Sequence, residues 1–128
     1  MNARGETAPR KRTSAAHRAS IREPTDRVVS QLRDDIGANL LAYIVDKTTS
    51  TVNKWAGGTP HPPQESEHIL RTLLQVRSIL GENDGPHVLR AWLIGFNPQL
   101  DDDTPADAIR TGRLRETLAA ARAFSVGG

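Results

Sequence analysis

Residues 41–58 read LAYIVDKTTSTVNKWAGG, and two short helices with a polar break between them account for this pattern. Leu40, Leu41, Tyr43, Ile44 and Val45 form an apolar cluster at helical spacing, and Asp46 and Lys47 interrupt the apolar run. Thr48 then stands where an N-cap hydroxyl is wanted. Val52 and Trp55 are spaced to face inward, while the Gly57–Gly58 pair stops the second helix. A helix with only two inward apolar residues buries too little surface to stand alone, so it has to be held by a partner helix. The outward residues are Thr49, Ser50, Thr51, Asn53 and Lys54. Helix-turn-helix units have this layout. A small residue on the first helix, here Ala42, lets the second approach, and the second lays polar side chains in the major groove. Hydroxyls and amides suit both phosphate oxygens and base edges, and an Asn can bridge adenine in a bidentate pair.

Upstream, Val28, Val29, Leu32 and Ile36 form one helical stripe, with Pro24 placed for the first turn and Gly37 for the end. Downstream, GGTPHPP (57–63) cannot continue a helix and marks the clearest boundary in the chain. A long helix is predicted over Gln64–Leu80, with Ile69, Leu73, Val76 and Leu80 in one stripe and Leu70 and Leu74 widening it. Gly81 ends it. After the turn GENDGP, Val88, Leu89, Trp92 and Leu93 mark a helix over about Pro86–Ile94. GFNPQLDDD follows as turn chemistry. Thr104, Pro105 and Asp107 supply an N-cap, a first-turn proline and a third-position carboxylate for a short helix closing at Gly112. A last helix over about Arg113–Phe124 places Leu114, Leu118 and Ala121 on one side. No strand alternation or internal repeat is visible. The expected fold is all-α, an N-terminal helix-turn-helix bundle at residues 24–60 followed by a small C-terminal helical domain at 61–128.

Composition agrees with this class. The chain has 128 residues, 37% hydrophobic and only 4% aromatic, so its core is filled by aliphatic side chains. With no cysteine, disulfide frameworks, thiol catalysis and cysteine metal ligation are excluded, and a reducing compartment fits. No apolar run reaches the ~18 residues of a membrane span, and no apolar signal core follows the basic start. A soluble, cytoplasmic protein without membrane contact is expected. The net charge of +2 is uneven, because Met1–Glu23 carries six Lys or Arg against two Glu. This stretch lacks an apolar period and is expected to be a disordered basic tail. It could follow a phosphate backbone or only solubilise the chain.

The stretch at 41–58 resembles the Xre-type helix-turn-helix of bacterial repressors and antitoxins, through Leu41, Ala42, Ser50, Thr51, Val52, Trp55 and Gly58. It departs in the turn, where that family has glycine and then an apolar residue and this chain has Asp46 and Lys47. Asp46 tolerates the left-handed conformation better than most residues. A second resemblance lies in WLIGFNPQLDDDTPADAIRTGRLRETLAAA (92–121). Trp92, Leu93, Asn97, Pro98, Leu100, Pro105, Ala108, Ile109, Thr111 and Gly112 are similar to the toxin-binding domain of the Xre/MbcA/ParS antitoxin family. The likeness covers roughly Leu70–Phe124, and the order of the two parts matches as well.

The resemblance implies a type II antitoxin that binds a cognate RES-domain toxin, an enzyme that degrades NAD, and covers its active site. Operon repression through operator DNA is implied as a second activity, in a homodimer or a toxin–antitoxin hetero-oligomer. The DNA-contact candidates are Thr49, Ser50, Thr51, Asn53 and Lys54. The toxin-contact candidates are Asn97, Pro98, Arg110, Thr111, Gly112, Arg113 and Arg115; a pocket shaped for NAD phosphates would favour basic side chains or a helix end, which points to Arg110, Arg113 and Arg115 around the Gly112 break. Asp101, Asp102 and Asp103 replace a turn that is commonly glycine-rich and carries a basic residue.

Blander readings compete. Trp92 shares a stripe with Val88 and Leu89 and suits a core. The Asp run suits charge at a helix N-terminus better than a metal site. His61, His68 and His87 have no metal-ligand spacing with acidic partners, and Arg113 and Arg115 could be solvated. No nucleophile constellation, P-loop or dinucleotide glycine pattern is present, so neither enzymatic activity nor a cofactor is expected. Two alternatives stay open: a stand-alone helix-turn-helix transcriptional regulator of phage or mobile-element origin, and a helical adaptor with a relic DNA-binding unit.

Overall fold

The computed structural model describes residues 23–81 and 85–127. The tail expected at 1–23 lies, apart from Glu23, outside the described residues, as does the centre of the turn at 82–84. Seven α-helices follow in order among the described residues: α1 (Thr25–Ile36), α2 (Ala38–Val45), α3 (Thr49–Ala56), α4 (Gln64–Leu80), α5 (Pro86–Ile94), α6 (Pro105–Arg110) and α7 (Leu114–Gly127). A 3₁₀ turn at Pro98–Leu100 lies between α5 and α6, and one antiparallel bridge joins Asn97 to Asp103. The all-α expectation is borne out. No helix among the described residues is long and apolar enough to cross a membrane.

The helices form where the apolar period asks for them. The α1 stripe of Val28, Val29, Leu32 and Ile36 is buried, and Pro24 sits one position outside the helix, its carbonyl accepting from Val28 at 3.1 Å. α4 keeps the predicted bounds and buries Ile69, Leu70, Leu73, Leu74, Val76 and Leu80. Both proposed caps form, Thr48 Oγ1 accepting from the Thr51 amide at 3.1 Å and Thr104 Oγ1 from that of Asp107 at 3.0 Å. A cap of this kind stabilises a helix by about 1 kcal/mol.

One buried cluster runs through both halves of the chain, from Val28 and Leu41 through Val52, Trp55 and Leu73 to Leu93, Ile109 and Ala121. α1 packs on α3, α4 and α5, and α2 packs on both α3 and α6. α4 and α7 also pack together. The inward face of α7 is Thr117, Ala120 and Ala121, with Leu114 and Leu118 only half-buried beside it. The stripe is therefore turned from the one expected at Leu114, Leu118 and Ala121. Small residues occupy its centre, and they permit close helix approach. Thr117 satisfies its hydroxyl on the Arg113 carbonyl at 2.7 Å, as a buried polar group must.

Three helices end in the same way. Asp46, Gly58 and Gly112 take positive φ of 59°, 98° and 91°. In each, the next residue's amide reaches back to close a Schellman motif, Lys47 to Ala42 at 2.9 Å, Thr59 to Lys54 at 3.3 Å and Arg113 to Ala108 at 2.8 Å. The departure from glycine at Asp46 leaves the turn intact, because Asp46 adopts the left-handed state that the motif requires. Asp46→Ala should lower stability by about 1 kcal/mol in urea unfolding, whereas Asp46→Gly should stay within about 0.5 kcal/mol of the parent.

Candidate functional site

α3 presents its polar residues much as its spacing predicts. Thr49, Ser50, Asn53 and Lys54 are exposed on one face, while Val52 and Trp55 are buried beneath. Thr51 differs. It is half-buried and drawn into the cap, its hydroxyl accepting from Thr48 Oγ1 at 3.0 Å. One neighbour was not apparent from sequence: Arg33 of α1 donates to Asn53 Oδ1 at 3.2 Å.

The turn before α3 is tied to α6. Arg110 donates from Nη1 to the Tyr43 carbonyl at 2.6 Å and from Nη2 to Asp46 Oδ1 at 2.8 Å. Its guanidinium lies 4.3 Å from the centre of the Tyr43 ring, a cation–π geometry. The Tyr43 hydroxyl donates to Asp107, and this bond is the main reason its pKa rises above the usual value, followed by desolvation. Tyr43 and Arg110 thus act as a strut between α2 and α6. Arg110, a toxin-contact candidate by sequence, is turned toward the Asp46 turn before α3.

The other toxin-contact candidates fall in two places. Asn97 and Pro98 stand on the rim of an open groove of about 600 Å³ lined by Trp92, Phe96, Ala120 and Phe124. Phe96 is 84% exposed and Phe124 is 46% exposed. Trp92 is buried, as its core reading requires, yet its ring meets Phe124 with centroids 6.4 Å apart. Gly112 and Arg115 line a second, smaller depression with His68, Thr72 and Gln75 of α4. Arg115 is exposed and has no ion pair among the described residues. Thr111 is exposed at the end of α6, its hydroxyl donating to the Asp107 carbonyl at 2.9 Å.

Arg113 is occupied from within the chain. It bonds Glu116 Oε1 at 2.8 Å and Asp101 Oδ2 at 3.2 Å, with Asp103 at 3.9 Å. The bond to Arg113 holds the Glu116 carboxyl below its usual pKa. Of the Asp run, which the sequence suited to charge at a helix N-terminus, only Asp103 stands there, next to the α6 N-cap. Asp101 and Asp102 both take positive φ, and Asp103 closes the bridge, its carbonyl accepting from the Asn97 amide at 3.0 Å. Asp103 Oδ1 instead accepts from the Thr104 amide at 3.0 Å. The bridge between Asn97 and Asp103 closes a tight reversal, and Asp suits the left-handed positions it needs.

A polar knot at the opposite end fixes α1 on α4. Glu67 accepts from Thr25 at 2.9 Å, from Arg71 at 3.1 Å and meets His61 Nε2 at 2.7 Å. Burial pushes the Glu67 carboxyl up, but the bonds from His61, Thr25 and Arg71 together hold it below its usual pKa. A carboxyl lowered on folding stabilises above its unfolded pKa of about 4.3 and loses that contribution as pH falls through the folded value. Glu67→Gln should therefore be about 1 kcal/mol less stable than the parent at pH 7, with the difference fading below about pH 4.3. Urea melts at both pH values measure it. Among the described residues no group of three or more His, Asp or Glu converges to hold a metal ion.

Sequence missed Phe96, Phe124, Arg33 and the strut. A signal existed for Phe96, since a chain with only two Phe, two Trp and one Tyr places one of them in the Gly-Phe-Asn-Pro turn.

No family model matches the chain, and no curated protein does. Among solved structures, the fold is similar to a chain in the crystal structure of the M. tuberculosis MbcT-MbcA toxin-antitoxin complex. The TM-score is 0.68 at 25% identity, over 82% of this chain and 96% of that one. The resemblance to MbcA-type antitoxins read from the sequence is thus borne out by the structure.

Proposed function

We propose that this chain is a type II antitoxin. It binds a cognate RES-domain toxin that degrades NAD, covers the toxin's active site, and represses its own operon in the cytoplasm by laying α3 on operator DNA. The observation that carries this reading is the likeness, over nearly the whole length of the matched chain, to a structure solved as a toxin–antitoxin complex. The protein acts by binding rather than catalysis.

Residues 24–60 serve the DNA and residues 61–128 the toxin, on one shared core. Thr49, Ser50, Asn53 and Lys54 supply the DNA-facing donors and acceptors, and Thr51 holds the start of their helix. For the toxin, the groove edge at Asn97 and Pro98 offers an aromatic surface, with Phe96 and Phe124 beside it. The depression at Gly112 offers the Arg115 charge, and the exposed Thr111 lies next to it. Arg110 and Arg113 position these surfaces through their internal bonds. An exposed Phe next to a preformed groove is the kind of anchor that dominates binding energy when a partner covers it. The complex is a homodimer or a hetero-oligomer with the toxin.

Affinity purification of the tagged chain from its native host, with mass spectrometry of the eluate, tests the reading. A stoichiometric partner that depletes NAD when assayed alone, and ceases to do so with the chain added, is expected. Recovery of the chain alone, or with DNA alone, would transfer the assignment to a stand-alone regulator.

A further inference from the structure

Asn53 is the one exposed amide on α3, and its orientation follows from chemistry. A guanidinium carries five N–H donors and no acceptor. The contact of Arg33 with Asn53 is therefore made by the amide oxygen, as the 3.2 Å approach of Nη1 to Oδ1 records. The oxygen is turned toward α1, and the Asn53 NH₂ group points away from that bond. Arg33 comes from the last turn of α1, and α1 packs directly on α3.

The consequence lies in what the helix can read. An Asn bridges adenine by accepting from the N6 amino group while donating to N7. That pairing needs the oxygen that Arg33 already engages, so the adenine amino group, also a donor, would have to share it beside the Arg33 cation. Guanine presents two acceptors, N7 and O6, on the same edge. An amide whose oxygen is bonded to a cation has its N–H groups polarised toward stronger donation. Lys54 beside it adds further donors. The surface is matched to a base edge made of acceptors.

We propose that Arg33 is a specificity-determining positioning residue, which holds the Asn53 amide so that α3 selects guanine instead of bridging adenine. The inference rests on the DNA-reading role given to α3 above and adds the base it reads. Arg33 acts through Asn53 rather than by contacting the base.

Selection of bound duplexes from a random-sequence DNA pool by the full chain tests it, using the parent, Asn53→Ala, Arg33→Ala and Arg33→Lys. Asn53→Ala identifies the position concerned, as the one whose base preference it erases. The parent is expected to enrich guanine there. In Arg33→Ala the guanine-over-adenine ratio at that position should fall by about tenfold or more, toward adenine. Arg33→Lys, again a donor without an acceptor, should retain guanine. Thermal melts of each variant show whether it is folded, and the Lys variant carries the test if the Ala variant is not. With Lys, loss of guanine overturns the proposal. Adenine at that position in the parent, an unchanged preference in a folded Arg33→Ala, or no position that depends on Asn53 overturns it too, while leaving DNA binding standing. A parent that enriches no sequence at all overturns the DNA-reading role itself, and this inference with it.

Discussion

Phe96→Asp is expected to weaken toxin binding by about 100-fold, roughly 2.7 kcal/mol, while leaving the fold unchanged. Phe96 is 84% exposed, so folding places little of its surface out of water and its replacement costs the free chain little. Its value lies in what it does when a partner covers it. The ring stands by the groove lined by Trp92 and Phe124, in a loop clamped by the Asn97–Asp103 bridge, so little ordering remains to be done on binding. A carboxylate in its place would be desolvated without a partner. Calorimetric titration of the toxin with parent and variant measures the loss, and matching thermal melts show that the fold is kept. Equal affinities would remove Phe96 from the interface.

Leu100→Ala is expected to have the largest effect on stability. Leu100 is fully buried, at 0% exposure, although it belongs to a three-residue 3₁₀ turn in an otherwise exposed loop. It pins that loop to the core, and the turn packs against α7. Leu-to-Ala changes at such sites cost about 2–5 kcal/mol, a large part of the 5–15 kcal/mol that holds a typical domain folded. A fall in Tm of roughly 10 °C or more follows for a domain of this size. Below the new Tm, the loop carrying Phe96, Asn97 and Pro98 should bind toxin less well, while the DNA binding proposed for α3, which is packed on α1 and α2, should be unchanged. A Tm within about 2 °C of the parent would show that the loop is held by its hydrogen bonds alone.

Much of the fold was legible because its determinants are local. The stripe in α4, the glycine stops and the Thr48 and Thr104 caps all lie within a few residues of the elements they define, and each forms as expected. The bounds of α5, Pro86–Ile94, follow from a proline, a glycine and an apolar period. The site was less legible, since its decisive contacts join distant parts of the chain. Arg110 reaches Tyr43 across 67 residues and Arg33 reaches Asn53 across 20. No local pattern distinguishes an Arg that will meet a partner from one that will brace a turn. Asp46 lay between these extremes. Its left-handed tolerance could be read from its type, but the Arg110 bond that occupies its carboxylate could not.

The strut also bears on how the two proposed activities would meet. A toxin that draws on Arg110 would have to release the Tyr43 carbonyl and Asp46, and with them the turn that sets α3. Any such effect is reciprocal, so DNA bound to α3 would alter toxin affinity by the same factor.

Neutralisation of a toxin is read from growth. The partner recovered with this chain should be expressed in a surrogate cell alone, with the parent chain, and with Phe96→Asp. Growth arrest by the partner alone, relieved by the parent and not by the variant, is the predicted result. A partner that leaves growth untouched, or an arrest that the parent chain does not relieve, would contradict the account.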